Sequence, residues 1–201
     1  MPFPERLAIA TKNRHKLLEL GRICRDWPVE WLTVESDPGP GPWPDVDEPH
    51  DTYLDNALEK ARAIAAALSV PAIADDSGIE VDALDGAPGP RSARFAGEGA
   101  SDAENLAELI ERIAGVAPEA RTARYRCVAA VAWPDGRTMH AEGICEGTLV
   151  IQPRGDRGFG YDPVFVPEGE HRTMAELGDE EKDRISHRGR AFRALAELLS
   201  T

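Results

Sequence analysis

Two adjacent aspartates follow a short apolar run in the segment Ala-Ile-Ala-Asp-Asp-Ser-Gly at residues 72–78. An apolar run of this kind predicts a buried strand, and carboxylates at its end are costly unless a cation shares the site. Successive strand residues point to opposite faces, so we expect Asp75 and Asp76 to have different roles. The alternative is a polar strand end before a turn, in which Gly78 supplies a positive φ.

A second candidate for chemistry lies between a predicted strand and a predicted helix, where residues 11–16 are Thr-Lys-Asn-Arg-His-Lys. Free backbone N–H groups at a helix start attract anions, and Lys12 and Lys16 add positive charge there. The glycines of a Walker A loop are missing. The alternative is a capped helix whose lysines face solvent.

Three acids, Asp45, Asp47 and Glu48, close a long loop at residues 36–50 that is rich in Pro and Gly. Together with the two strand aspartates they could bind a hard cation, since Mg²⁺ takes a few carboxylates and leaves room for substrate phosphates. No set of His and Cys residues has the spacing of a zinc site. Acids in loops are also commonly solvated surface groups.

Two later segments are candidate contacts for an organic ligand. Residues 158–162 are Gly-Phe-Gly-Tyr-Asp, in which glycines permit close approach and an aromatic ring can stack on a base. The same rings could instead fill the core at the end of a loop. Residues 186–188 are Ser-His-Arg at a predicted helix start and offer several donors. Their alternative role is a helix cap with two surface cations.

The elements that must position these segments alternate between strands and helices. Apolar patterns predict strands at 7–10, 29–34, 72–76, 79–84, 125–133 and 138–151. Helices are predicted after residue 13, over 51–68, from the capping box at 101–104, after Thr173 and after Ser186. In the helix over 51–68 the predicted inward stripe is Leu54, Leu58, Ala61, Ile64 and Leu68. This order predicts an α/β fold with a mixed central sheet flanked by helices.

The overall composition narrows the classes of function. The chain has 201 residues, which suits one domain over 1–201. Its net charge of −13 disfavours nucleic acid and anionic membranes as partners. The sequence has neither an apolar run long enough to span a bilayer nor a signal peptide, which predicts a cytoplasmic protein. Cys24, Cys127 and Cys145 are widely spaced, as expected of reduced, buried thiols.

Taken together, the motifs resemble the inosine triphosphate pyrophosphatases, also called XTP/dITP diphosphatases. The matching segments occur in the family's order over nearly the whole chain. They are AT-K-N-RH-K at 10–16, the loop acids before DNALEKA at 55–61, AIADDSG at 72–78, APG-PRSARFAG at 87–97, GFGYDPVF at 158–165 and EEK-DRISHRG at 180–189.

The resemblance implies an enzyme that cleanses the nucleotide pool. It would hydrolyse non-canonical purine nucleoside triphosphates, namely ITP, dITP and XTP, to the monophosphate and pyrophosphate, with Mg²⁺ as cofactor. The implied fold has two lobes with an active-site cleft, and the implied assembly is a homodimer. We also expect the Pro/Gly loop to be exposed, with Trp43 near an interface.

The resemblance assigns roles residue by residue. Asp76 would be the catalytic acid–base residue and a metal ligand, and Asp47 or Glu48 would complete the metal site. Asp47 is the aligned position, but Glu48 stands next to it. The triphosphate would be held by Thr11, Asn13 and Lys16. The residues proposed for the substrate site as a whole are Thr11, Lys12, Asn13, Arg14, His15, Lys16, Ser77, Phe159, Gly160, Tyr161, Asp162, Lys182, His187 and Arg188.

Two rival functions fit part of the pattern. A Maf-like nucleotide pyrophosphatase would share the fold class but not the paired GFGYDP and SHRG segments. A non-catalytic nucleotide sensor would need the phosphate and base contacts but not Asp76. The adjacent aspartates and the loop acids favour an enzyme.

Overall fold

A mixed sheet of six strands forms the framework in the computed structural model, which describes residues 3–35 and 43–200. The strands are β1 (Arg6–Ile9), β2 (Glu30–Leu32), β3 (Ala72–Val81), β4 (Thr122–Ala132), β5 (Thr138–Leu149) and β6 (Phe165–Pro167). Their order is β2-β1-β3-β4-β5-β6. Strand β1 is parallel to β2 and β3, whereas β5 is antiparallel to β6. The predicted α/β class with a mixed sheet is confirmed.

Five α-helices accompany the sheet within the described residues: α1 (Arg14–Ile23), α2 (Tyr53–Leu68), α3 (Asp102–Ile113), α4 (Asp179–Ile185) and α5 (His187–Leu199). Asn13, Thr52 and Ser101 cap the first three through their side chains, and Ser101 forms the predicted capping box. Helix α4 and strand β6 were not predicted. In the described part of the chain no helix combines the length and the apolar character needed to cross a membrane.

The chain divides into two compact units, each assembled from separate segments. Unit 1 comprises Met1–Asp76, Cys127–Gly143 and Arg188–Thr201, and unit 2 comprises Ser77–Arg126 and Ile144–His187. Each unit has its own apolar core. In unit 1 the core includes Leu7, Leu20, Ile73, Phe192 and Leu195. In unit 2 it includes Ile79, Leu109, Ile113, Phe165 and Met174. A single domain over 1–201 stays a prediction.

Strand β3 is one continuous strand of ten residues. The sequence predicted two strands, 72–76 and 79–84, and that prediction was wrong. Gly78 makes no turn, because it lies inside the strand and packs against backbone. A Cβ built there would lie 2.2 Å from the Gly89 carbonyl oxygen and 2.5 Å from Ser92 Oγ. Glycine is therefore required by close approach, and the polar run continues the strand.

The predicted inward stripe of helix α2 is confirmed in part, because Ala61 and Ile64 are buried as predicted. Leu54, Leu58 and Leu68 are only partly buried. The buried residues are Tyr53, Asn56, Ala57, Lys60, Ala61, Ile64 and Ala65. The helix is rotated relative to the leucine stripe because the polar side chains of Asn56 and Lys60 find partners inside unit 1. That rotation brings two polar groups to the candidate site.

Trp43 is buried, with 6% of its surface exposed. It packs in a cluster with Ala61 and Ile64 of α2, because an indole ring gains more from this apolar face than from solvent. The expectation of an exposed loop is therefore wrong at Trp43, and its position near an interface stays a prediction. The preceding loop residues 36–42 lie outside the described residues.

The three cysteines are free and buried, as predicted. Burial, followed by the nearby charge of Asp75, raises the pKa of Cys24 and Cys127 well above the usual thiol range. These thiols are therefore protonated packing groups at neutral pH.

Candidate active site

The junction between β1 and α1 forms a helix start suited to an anion. The Asn13 side chain accepts hydrogen bonds from the backbone N–H groups of His15 (2.9 Å) and Lys16 (3.2 Å). The first turn of α1 contains no acidic residue. The exposed side chain of Lys12 pairs with Asp45, Nζ to Oδ1, at 2.5 Å. Since the positive end of the helix dipole is not neutralised by an acid in the first turn, a phosphate group is favoured there.

The remaining residues of this segment have different surroundings. Arg14 and His15 are exposed, whereas Thr11 and Lys16 are half-buried. Thr11 Oγ1 accepts a hydrogen bond from the backbone N–H of Asn13 at 3.2 Å. Lys16 extends to β3, where its Nζ lies 3.1 Å from Asp75 Oδ2. The predicted phosphate-binding segment thus includes one lysine directed at the adjacent aspartates.

Asp75 is a buried carboxylate held by cations. Arg188 donates to Asp75 Oδ2 from Nε (3.2 Å) and Nη2 (3.1 Å), and its Nη1 donates to Glu19 Oε2 at 2.5 Å. Burial alone would raise the pKa of Asp75, but Lys16 and Arg188 outweigh it and hold the pKa well below its usual range. Asp75 therefore stays ionised and is poorly suited to accept a proton.

Asp76 has a separate set of partners, as expected for the opposite face of a strand. Asn56 Nδ2 donates to its Oδ2 at 3.1 Å, and Lys60 Nζ lies 3.4 Å from its Oδ1. Burial raises the pKa of Asp76, and the Glu48 charge acts in the same direction. Lys60 and Lys16 oppose them, and the net shift is upward. A carboxylate with a raised pKa is the better proton acceptor of the two.

Glu48 and Asp76 converge on one cation. Lys60 Nζ contacts Glu48 Oε1 at 2.5 Å as well as Asp76 Oδ1. Burial would lower the pKa of Lys60, but the two carboxylates outweigh it and raise the value. Asp47, in contrast, is exposed. Glu48 and Asp76 thus share the ammonium group of Lys60.

This arrangement fits a Mg²⁺ ion. Among residues 3–35 and 43–200 there is no group of three or more His, Cys, Asp or Glu side chains arranged to bind a metal. Mg²⁺ does not require one, because it is commonly held by one or two carboxylates together with substrate phosphates and water. Glu48 and Asp76 supply oxygen ligands of that kind.

In unit 2, Asp162 organises the Gly-Phe-Gly-Tyr-Asp segment. Its Oδ2 accepts from the Phe159 backbone N–H at 2.9 Å and from Lys182 Nζ at 2.5 Å. The Lys182 ammonium lies 5.2 Å from the centroid of the Phe159 ring. Gly158 has φ +72°, and a Cβ there would come within 2.1 Å of Asp162 Oδ2. The glycine is therefore needed for the aspartate–lysine pair to form.

The other predicted residues of unit 2 have diverse surroundings. The Gly160 N–H donates to Asp102 Oδ2 at 3.2 Å. The buried hydroxyl of Tyr161 donates to the Ser92 carbonyl at 2.7 Å, so its ring is part of the core, as the alternative proposed. Ser77, directly after Asp76, is half-buried. His187 is buried, with its imidazole stacked on the ring of Tyr125.

Sequence reasoning assigned no role in the site to several residues that contact the predicted site residues, namely Glu19, Asn56, Lys60, Ser92, Asp102 and Tyr125. A signal existed for Asn56 and Lys60, which are spaced i, i+4 beside small alanines and so share one helix face. No pattern in the sequence distinguishes Glu19 or Tyr125 from ordinary helix and strand residues.

Comparison with known proteins identifies the family of the chain. The sequence profile of the Ham1 family matches residues 7–198. The chain belongs to the Ham1 family. A relative from Streptomyces coelicolor, described as a dITP/XTP pyrophosphatase, is 50% identical over 194 residues, which cover 96% of each chain. The resemblance inferred from the motifs is therefore confirmed.

Solved structures of the Ham1 family have the same fold. A Ham1 protein from Coxiella burnetii has a TM-score of 0.84 and 36% identity, with 96% of this chain and 98% of that chain covered. A nucleoside-triphosphatase, dITP/XTP pyrophosphatase, from Mycobacterium abscessus has a TM-score of 0.74 and 40% identity, with 98% and 100% covered.

Proposed function

We propose that this Ham1 family protein hydrolyses the non-canonical purine nucleoside triphosphates ITP, dITP and XTP to the monophosphate and pyrophosphate. The observation that carries the proposal is that the neighbouring carboxylates Asp75 and Asp76 have different partners and opposite pKa shifts. Asp75 is fixed as an anion by Lys16 and Arg188, whereas Asp76 has a raised pKa and shares Lys60 with Glu48. The names of the relatives from Streptomyces coelicolor and Mycobacterium abscessus support the same activity.

The proposed chemistry is attack of water on the α-phosphorus. Asp76 accepts a proton from the water as the new O–P bond forms. The bond from the α-phosphorus to the bridging oxygen breaks, and pyrophosphate leaves with its electron pair. Thr11, Asn13 and Lys16 hold the triphosphate at the start of α1, with Lys12, Arg14 and His15 adding to the positive potential around it.

Glu48 and Asp76 are the proposed ligands of Mg²⁺. When bound, the ion would neutralise charge that develops on the phosphate oxygens. We prefer Glu48 to Asp47 because Glu48 is directed to Lys60 beside Asp76, whereas Asp47 is exposed. Lys60 already contributes a positive charge at this point and so lowers the cost of bringing the two carboxylates together.

Selectivity is proposed to come from the base. Hypoxanthine and xanthine carry a 6-keto acceptor where adenine carries an amino donor. Donors from His187 and Arg188 would pair with the keto oxygen, and an adenine amine would leave them unpaired. Further contacts to substrate are proposed for Ser77, Phe159, Gly160, Tyr161, Asp162 and Lys182.

We also propose a cytoplasmic homodimer that acts on free nucleotides and not on nucleic acid or membranes. Buried, protonated thiols support a reducing compartment. The net charge of −13 disfavours binding to polyanions. The dimer follows from the family resemblance, and light scattering at micromolar protein tests it, since a monomer mass would contradict it.

A substrate panel tests the function. ITP, dITP, XTP, GTP and ATP are assayed for released pyrophosphate and orthophosphate, with Mg²⁺ and with EDTA. We expect pyrophosphate from the first three, only in the presence of Mg²⁺. Orthophosphate and a diphosphate would contradict attack at the α-phosphorus. Preference for another base would favour a Maf-like specificity, and binding without turnover would favour a sensor.

A further inference from the structure

Tyr125 is a buried residue of β4 that contacts two side chains of the proposed substrate site, His187 and Asp162. Its ring lies face to face with the His187 imidazole, with the centroids 4.5 Å apart and the planes inclined by 7°. Its hydroxyl donates a hydrogen bond to Asp162 Oδ1 at 3.3 Å. All three residues belong to unit 2.

Stacking on Tyr125 fixes the direction in which His187 can form hydrogen bonds. The ring nitrogens of an imidazole bond within the ring plane, so a ring that is held parallel to a neighbour can donate only along that plane. Phe165 packs edge-on against the Tyr125 ring, with centroids 4.7 Å apart and planes at 61°. Because Phe165 is fully buried, the Tyr125 ring is held in turn.

The hydroxyl of Tyr125 fixes the orientation of the Asp162 carboxylate. Asp162 uses Oδ2 for the Phe159 N–H and for Lys182, while Oδ1 receives the Tyr125 hydroxyl. A carboxylate held at both oxygens cannot rotate about its terminal bond without losing a partner. Tyr125 therefore orients the Asp162–Lys182 pair as well as His187.

We propose that Tyr125 is a positioning residue for recognition of 6-keto purine nucleotides. It acts through the ring plane of His187 and the carboxylate of Asp162, and it makes no contact with the reacting atoms. This inference rests on the proposed function, because the selectivity it explains is that of the proposed substrates.

Two variants distinguish the contribution of the Tyr125 ring from that of its hydroxyl. Tyr125→Met removes the aromatic face but fills the space with a flexible apolar chain. Tyr125→Phe retains the ring and removes only the contact to Asp162. Ile113→Val, a truncation in the same core on α3, is the matched control for a loss of packing.

The kinetic measurement is kcat and KM for ITP and ATP in each variant. The loss of one well-aligned hydrogen bond to the substrate lowers kcat/KM by about 3- to 10-fold. We expect Tyr125→Met to lower kcat/KM for ITP by about that factor, mainly through KM, and to change ATP hydrolysis less than twofold. Tyr125→Phe should keep more of the selectivity, and the control should keep all of it. If both Tyr125 variants are folded and retain the wild-type ITP/ATP ratio, the proposal is overturned.

A spectroscopic measurement does not depend on turnover. In the wild type, the imidazole C–H protons of His187 lie over the Tyr125 ring and should resonate upfield; a His187→Gln spectrum assigns them. We expect these signals to move downfield in Tyr125→Met and to stay in place in Tyr125→Phe. Unmoved signals in Tyr125→Met would contradict positioning by the ring. If the wild type releases no pyrophosphate from any nucleotide, the proposed function fails, while the spectra still decide whether Tyr125 holds His187.

Discussion

Arg188 Nε and Nη2 both lie within 3.2 Å of a single oxygen, Oδ2 of Asp75, although the two residues are 113 positions apart. The third interaction of the same guanidinium is with Glu19. Asp75 and Glu19 thus share the buried guanidinium of Arg188 in unit 1, and Lys16 also lies beside Asp75. Removing the guanidinium takes a counter-charge from two buried carboxylates at once, which is far more costly than losing an exposed ion pair.

Arg188→Ala should therefore destabilise the protein by about 3–5 kcal/mol. Urea unfolding at neutral pH measures the change. Arg137→Ala is the matched control, because Arg137 also pairs with a carboxylate, Asp135 at 2.7 Å, but both side chains are about half exposed. The control should cost about 0–1 kcal/mol. Similar losses in the two variants would contradict a buried role for Arg188.

Arg188 is also proposed to bind the purine base, and selectivity tests that role at a temperature where the variant is folded. The loss of a hydrogen bond from a charged donor lowers kcat/KM by about 10- to 150-fold. Arg188→Ala should lose this factor for ITP and little for ATP, whose 6-amino group cannot accept there. Glu19→Gln, which keeps the guanidinium, should retain the selectivity. Equal losses for ITP and ATP would instead make Arg188 a holder of Asp75.

Asp76→Asn should lower kcat by at least about 10²–10⁴-fold, because the amide cannot accept the proton of the attacking water. The change is nearly isosteric, so we expect the melting temperature to remain near that of the wild type. Asp26→Asn is a suitable control, since its side chain is 94% exposed. Near wild-type turnover in folded Asp76→Asn at saturating Mg²⁺ would exclude Asp76 as the base.

Glu48→Gln should raise the Mg²⁺ concentration needed for half-maximal activity by about tenfold or more, as expected when a metal ligand is weakened. Asp47→Asn is the matched comparison, because the neighbouring carboxylate is exposed and not directed at Lys60. We expect a much smaller shift for it. A larger shift for Asp47→Asn than for Glu48→Gln would reverse the assignment.

Gly158→Ala should raise KM for ITP and reduce stability, because its Cβ would come within 2.1 Å of Asp162 Oδ2 and 3.1 Å of Lys182 Nζ. Gly169→Ala separates this clash from backbone strain, since Gly169 has φ +83° but open space around a Cβ. The control should lose about 1–2 kcal/mol of stability with KM unchanged. Equal KM values in the two variants would show that the clash does not disturb substrate binding.

Local patterns correctly predicted most of the secondary-structure elements, whereas the roles of the candidate site residues stay predictions. The helix start at Asn13 and the capping box at Ser101 depend on nearby residues and were correctly predicted. The continuity of β3 was not, because Asp-Asp-Ser-Gly has the composition of a strand end. It remains a strand because Lys16, Lys60 and Arg188, which are distant in sequence, neutralise its aspartates.

The orientation of α2 and the role of Tyr125 were missed for related reasons. The leucines of α2 predicted a buried face centred on themselves, but the polar contacts of Lys60 with β3 and the loop turn the most buried face toward Asn56 and Lys60. Tyr125 has the appearance of any buried strand residue, and only its contacts with His187 and Asp162 distinguish it. Contacts of this kind depend on tertiary structure that a single sequence does not display.

The assembly of unit 1 from three separated segments has a consequence for protein synthesis. Glu19 and Asp75 leave the ribosome long before Arg188, the cation that the folded protein places between them. Until the last segment has been translated, both carboxylates lack that counter-charge, and burying Asp75 with Lys16 beside it would be less favourable than in the complete protein. The nascent chain should therefore complete unit 1 only when α5 emerges, which makes completion of this unit one of the last events of folding.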